Sequence, residues 1–160
     1  MKSACFTGHR NISGDITGLK KMLYNTLENY IRNYGLTDFY AGGAVGWDTI
    51  SAMTVLKLKK IYPDIRLHLI LPCSSEEQTK KWTAQQQSVF YNILSLADSA
   101  EYTSQHYYNG CMKTRNARLV EYADICFCYL KPDNKYSGTS QTVNMAQKKH
   151  IDIINLFTQT

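Results

Sequence analysis

No run of residues in the chain approaches the roughly 18 consecutive apolar positions that a membrane-spanning helix needs, and the first eight residues carry no long apolar stretch of secretory type. The five cysteines, Cys5, Cys73, Cys111, Cys126 and Cys128, include no Cys-x-x-Cys pair, which removes the usual zinc spacing and the thioredoxin-type redox motif. Their odd number is better suited to buried thiols in a reducing compartment than to a disulfide framework. The dinucleotide fingerprint Gly-x-Gly-x-x-Gly is absent from the nine glycines. There is no internal repeat, no low-complexity stretch, no linker and no long basic run. These absences predict a cytoplasmic protein that engages no membrane, holds no metal and requires no cofactor.

The 160 residues predict a single domain spanning 1–160, long enough to bury a core without staples. Hydrophobic residues make up 44% and charged residues 19%, an ordinary globular balance. The net charge of +5 suits a phosphate-bearing ligand, although a dedicated duplex-DNA binder is usually more basic. Short basic clusters at Lys57–Lys60, Lys80–Lys81 and Lys148–Lys149 fall in predicted helices and read first as solvated faces. The 12 tyrosines are expected mostly half-buried, hydroxyl outward, with some free to line a pocket or interface.

Short apolar runs alternate with segments of helical period, the pattern of βα units. Strands are predicted at 3–6, 38–41, 66–71 and 124–130, with a short one near 100–103 and a last one at 151–156. Helices are predicted at 16–34, 49–61, 76–97, 113–122 and from 137–139 to 149. The fold class follows: α/β, a Rossmann-like, open, mainly parallel sheet with helices on both faces and strand order near 3-2-1-4-5.

Four stretches could carry chemistry. Gly42-Gly43-Ala44-Val45-Gly46-Trp47-Asp48 joins a strand to a helix. Its glycines permit close approach, and the helix start offers free N–H groups to a phosphate. Asp48 could cap the helix, take a ribose hydroxyl or act as a base. Thr7-Gly8-His9-Arg10 follows strand one; Gly8 would let a ligand near the backbone, His9 could titrate near neutral pH, and Arg10 offers a fork for phosphate. Arg115-Asn116 opens a helix, with Arg118 one turn on. Ser137-Gly138-Thr139 starts the last helix as a cap or as an anion site. Each has a bland reading as a tight turn, a solvated charge or a cap. Jointly they lie at strand ends or helix starts, which places them on one rim of a parallel sheet, where ligands bind. Arg10 and Arg115 are expected to clamp one anion from solvent-facing positions. Gly43→Val is expected to abolish binding at modest cost to the fold, with a further loss of about 1 kcal/mol or more if Gly43 needs a positive φ.

Together with Leu71-Pro72-Cys73, Lys81-Trp82 and Ile151–Asn155, these motifs resemble the SLOG superfamily over nearly the whole chain, and its YpsA-like branch most. That superfamily includes the LOG phosphoribohydrolases and the Rossmann-like domain of DNA-processing protein A. The resemblance implies a site for a nucleotide-derived ligand. In the LOG pattern a glutamate three residues after the threonine serves glycosidic cleavage. Here that position is Thr142, whose hydroxyl cannot stand in for a carboxylate as a base. Asp48 or Glu121 would have to substitute. The resemblance to DNA-processing protein A implies single-stranded DNA, which cations and stacking tyrosines can hold. Relatives of this fold imply a homodimer. Three functions result, in this order: a sensor or sequestering module for a nucleotide or ADP-ribose-like ligand, a nucleotide N-glycosidic hydrolase, and a single-stranded nucleic-acid binder. Whether the chain is an enzyme stays open at this point.

Overall fold

The computed structural model describes residues 2–133 and 135–158. Its centre is a six-stranded, all-parallel sheet built from β1 (Ser3–Gly8), β2 (Asp38–Ala41), β3 (Arg66–Leu71), β4 (Ser99–Tyr102), β5 (Ile125–Tyr129) and β6 (Asp152–Asn155), in the order β4-β3-β2-β1-β5-β6. Leaving out the short edge strand β4, the other five lie in the expected 3-2-1-4-5 order when counted along the chain. The order reverses direction at β1, which pairs with β2 on one side and β5 on the other. Chain connections leave on opposite faces there, and this opens a crevice beyond the strand ends.

Side-chain alternation assigns each sheet face its own core. Ala4, Phe6, Phe39, Leu67, Leu69, Ile125 and Phe127 point to one side and meet α1 (Ile16–Tyr34), α2 (Trp47–Lys59) and α4 (Ala84–Leu96). Cys5, Ile70, Cys126 and Cys128 point to the other and meet α5 (Cys111–Tyr122) and α6 (Gly138–Lys148). The first core is aromatic, with Phe6 6.1 Å from Phe39 and 6.0 Å from Phe127 between ring centroids. The second is lined by thiols. All five cysteines are free and buried, and burial pushes the Cys128 thiol up to about 12.

Local signals explain the boundaries. In α1, Leu19, Leu23 and Leu27 form one buried stripe, Asp15 accepts the Gly18 N–H at the start, and Gly35 ends the helix at φ 69°. The predicted helix over 76–97 is in fact two. The short α3 (Ser75–Thr79) ends before Lys80 and Lys81, and α4 begins after Thr83. Thr83 and Gln86 form a capping box, a Thr-x-x-Gln start signal that the helical period of the flanking residues hides. Lys80 and Lys81 therefore sit at a helix break. Six of the 12 tyrosines are exposed rather than half-buried, and Tyr136 is 92% exposed. Among the described residues, no helix is long and apolar enough to cross a membrane.

Candidate functional site

The crevice beside β1 contains a cavity of about 300 Å³ lined by Thr7, Gly8, His9, Arg10, Asp48, Met112, Arg115, Asn116, Ser137, Gly138 and Thr139, among others. All four stretches singled out in the sequence contribute to it. They arrive by different routes: the end of β1, the first turn of α2, the first turns of α5 and the start of α6. Three hollows among the described residues are larger. One, about 630 Å³, is lined by Ser13, Lys131 and Phe157 among others; a second, about 920 Å³, lies between α1, α2 and α4 and is lined by Lys20, Lys21, Lys57 and Lys60; a third, about 590 Å³, is lined by Lys131, Lys135 and Asn155 among others. None of them collects the four motifs.

Gly42, Gly43 and Gly46 do not line the cavity, contrary to the expectation that they cradle phosphate. Each serves contact between loops. At Gly46 (φ 81°) a Cβ would strike the carbonyl oxygens of Arg10 and His9, because the β1 turn crosses directly over it. The Trp47 N–H donates to that same His9 carbonyl at 3.1 Å. Gly43 (φ 76°) faces β3, where a Cβ would lie 2.5 Å from a Leu71 methyl. Its carbonyl accepts from the Gln78 amide at 3.2 Å. Gly43→Val is therefore first a folding lesion: the positive φ that carries the larger expected cost is present, and the Leu71 contact adds to it. Gly8 lines the cavity but also makes room for Trp47, whose buried indole donates to the Phe127 carbonyl at 3.2 Å and stacks on Tyr129.

The two arginines differ. Arg10 is exposed on the rim and makes no hydrogen bond or ion pair among the described residues. Arg115 is only 6% exposed, which overturns its expected solvent-facing position. Its Nη1 donates to the Gly42 carbonyl, its Nε to Asn116 Oδ1 at 2.7 Å, and its Nη2 reaches the Met112 sulfur at 3.6 Å. Burial pulls its pKa down while Asp48 opposes the shift.

Asp48 is not the helix cap. Gly46 holds that position, and Asp48 lies within the first turn of α2, 6% exposed. Its Oδ2 accepts the Ala44 N–H at 3.1 Å and so fixes the glycine loop. Burial raises its pKa, opposed by Arg115, the Ala44 N–H and Arg10. His9 accepts the Lys131 N–H through Nε2 at 3.0 Å, and its pKa is lowered by burial and by Lys131. A ring nitrogen that accepts a backbone N–H is held in its neutral form.

At α6, Ser137 caps by accepting the Ser140 N–H at 3.1 Å, and Gly138 and Thr139 form the first turn beside the cavity. Such a turn presents N–H groups without intrahelical partners. Thr142 is fully buried and donates to the Gly138 carbonyl at 3.0 Å. Arg118 does not share the Arg115 face; it pairs with Glu101 at 2.7 Å and with Glu121 at 3.5 Å. Glu121 is held in that exposed pair and does not line the cavity, so it cannot replace the glutamate absent at Thr142. Thr7, although part of the first-strand motif, and Met112 were given no role from sequence, and both line the cavity. Thr7 belongs to the same β1 turn, and Met112 precedes Arg115 by one helical turn, the spacing that shares a face.

The sequence profile of the YspA SLOG family matches residues 5–158. The chain belongs to that family. Among curated relatives it is 26% identical to a UPF0398 protein of Oenococcus oeni over 138 residues, covering 84% of this chain and 72% of that protein. It is 27% identical to the uncharacterized SPbeta prophage-derived protein YoqJ of Bacillus subtilis, covering 83% and 82%. Among solved structures, DNA processing protein A (DprA) of Streptococcus pneumoniae superposes with a TM-score of 0.65 at 14% identity, over 95% of this chain. The chain spans 49% of that protein's length. The Helicobacter pylori DprA, described for its single-stranded DNA binding mode, gives 0.65 at 19% identity over 95% of this chain and 63% of its own. At these identities the structural likeness establishes the fold alone, Rossmann-like α/β.

Proposed function

We propose that this chain binds a nucleotide or nucleotide-derived phosphate ligand, of the ADP-ribose kind, in the Arg10 cleft and works as a sensor or sequestering module. The supporting observation is Arg10. It is a cation that makes no hydrogen bond or ion pair among the described residues, on the rim of a cavity that the first turn of α6 also lines. A guanidinium fork and a helix start both favour a phosphate group. A cavity of about 300 Å³ falls at the small end of the range for small-molecule sites. A buried Thr142, with its hydroxyl engaged by the helix backbone, speaks against LOG-type hydrolysis. Five buried free thiols are in keeping with a cytoplasmic setting, and we assign the chain there as a homodimer; a monomer in sedimentation at micromolar concentration would remove the dimer.

Single-stranded nucleic acid is the second reading. It is favoured by the nearly fully exposed Tyr136 next to the Ser137 cap, a free ring on which a base can stack. Isothermal titration calorimetry of wild type and Arg10→Ala against AMP, ADP, NAD, ADP-ribose and a short oligonucleotide tests both. Arg10→Ala should weaken small-ligand binding by about 1.5–3 kcal/mol, roughly tenfold to a hundredfold. Its stability should stay within about 0.5 kcal/mol of wild type, because the side chain is exposed. Equal affinities would refute the site. Binding of the oligonucleotide alone, growing with its length, would establish the second reading, and release of free base would establish hydrolysis.

A further inference from the structure

We infer that Asp48 reads a sugar hydroxyl, so that the cleft selects ribose phosphates over their deoxy counterparts. This rests on the cleft being a phosphate site and adds what the rest of the ligand must carry. A cavity built only for phosphate would be lined by cations and N–H groups. This one also exposes a carboxylate to its interior. The side chain is more than nine-tenths buried, and only Oδ2 is satisfied, by the Ala44 N–H at 3.1 Å. The second oxygen, Oδ1, makes no hydrogen bond among the described residues and belongs to a residue that lines the cavity. Oδ1 is thus an acceptor left open to the cavity on an otherwise buried carboxylate, and a ligand bound there can supply its donor.

The ligand's chemistry is thereby constrained. An ester phosphate carries acceptors only, so it goes to Arg10 and the α6 turn and is repelled by Asp48. The donor must come from elsewhere on the same small molecule. Ribose hydroxyls lie a few bonds from a 5′-phosphate, so both ends fit one compact cavity. A phosphodiester chain of deoxyribose units has no free hydroxyl along its length. The same carboxylate therefore discriminates against DNA. The immobility of the group makes this selective: Asp48 is on the first turn of α2, its loop is closed by Trp47, and Gly42 presses against both Asp48 and Arg115. A fixed acceptor penalises a ligand that lacks the matching hydroxyl more than a mobile one does.

The test compares AMP, 2′-deoxy-AMP and 3′-deoxy-AMP, with ribose 5-phosphate and 2-deoxyribose 5-phosphate as base-free probes and inorganic phosphate as the bare anion. In wild type, at least one deoxy-AMP should bind about tenfold or more weakly than AMP. Asp48→Asn keeps the size and an acceptor for the Ala44 N–H. It should narrow that gap to a few-fold and tighten inorganic phosphate. Equal binding of AMP and both deoxy analogues in wild type overturns the hydroxyl reading and leaves the phosphate site standing. Loss of binding for every phosphate, in a protein that melts cooperatively, overturns both. Deoxy discrimination that persists unchanged in Asp48→Asn assigns the hydroxyl to another residue and also overturns the proposal.

Discussion

Arg115 donates from Nη1 to the carbonyl oxygen of Gly42, a residue 73 positions earlier at the end of β2. The bond ties the first turns of α5 to the loop that leads into α2, across the sheet ends where the cleft opens. It also places a buried cation opposite the buried carboxylate of Asp48, and burial penalises the charge of each.

Arg115→Ala is therefore a stability variant before it is a binding variant. It removes the donor to the Gly42 carbonyl and the cation that acts most strongly on Asp48. A loss of about 2 kcal/mol or more is expected, or a fall of roughly 4–8 °C in Tm for a chain of this size. Urea unfolding of Arg115→Ala beside Arg10→Ala checks the contrast. A similar, negligible effect in both would show that the buried bond contributes nothing.

Gly46→Ala should be nearly as damaging although only a methyl is added. The position combines φ 81° with ψ −123°, and the β1 turn leaves no space for a Cβ. Strain of this kind costs about 1–3 kcal/mol before any clash is counted. Thermal unfolding gives the number, and an unchanged Tm would mean the turn can swing away without loss.

Asp48 makes stability depend on pH with a defined sign. Its pKa in the folded chain is raised, chiefly by burial, against opposition from Arg115, the Ala44 N–H and Arg10. The folded state thus holds this proton more tightly than the unfolded state. Stability from this group is full below the unfolded value of about 4 and falls as pH rises through the folded value. Asp48→Asn abolishes the titration. Its stability relative to wild type should increase between about pH 4 and the folded pKa, by at most about 1.4 kcal/mol per pH unit, and then level off. The neutralised His9 is common to both proteins and cancels in the difference. Urea unfolding of the pair at several pH values checks this; a gap that is constant or shrinks contradicts it.

Much of the architecture was legible in the sequence because it depends on short-range pattern. Alternating apolar runs and helical stripes produced the strands, their parallel arrangement and the gathering of Thr7-Gly8-His9-Arg10, Asp48, Arg115-Asn116 and Ser137-Gly138-Thr139 on one rim. Gly35 marked the end of α1 through its left-handed torsion. The break at Lys80–Trp82 was readable too, but its Thr83–Gln86 box was masked by continuous helical period on both sides.

What each residue does at the rim was decided only by the tertiary structure. A glycine-rich turn reads the same whether its freedom admits a phosphate or a neighbouring loop, and Gly43 and Gly46 turn out to face Leu71 and the Arg10 backbone. Two arginines on helix starts or turns look alike in sequence. Only the crossing of distant segments buries Arg115 against Gly42 and leaves Arg10 open to solvent. Burial, hydrogen-bond partners and pKa direction are properties of what surrounds a side chain, and for this cleft the surroundings come from four segments far apart along the chain.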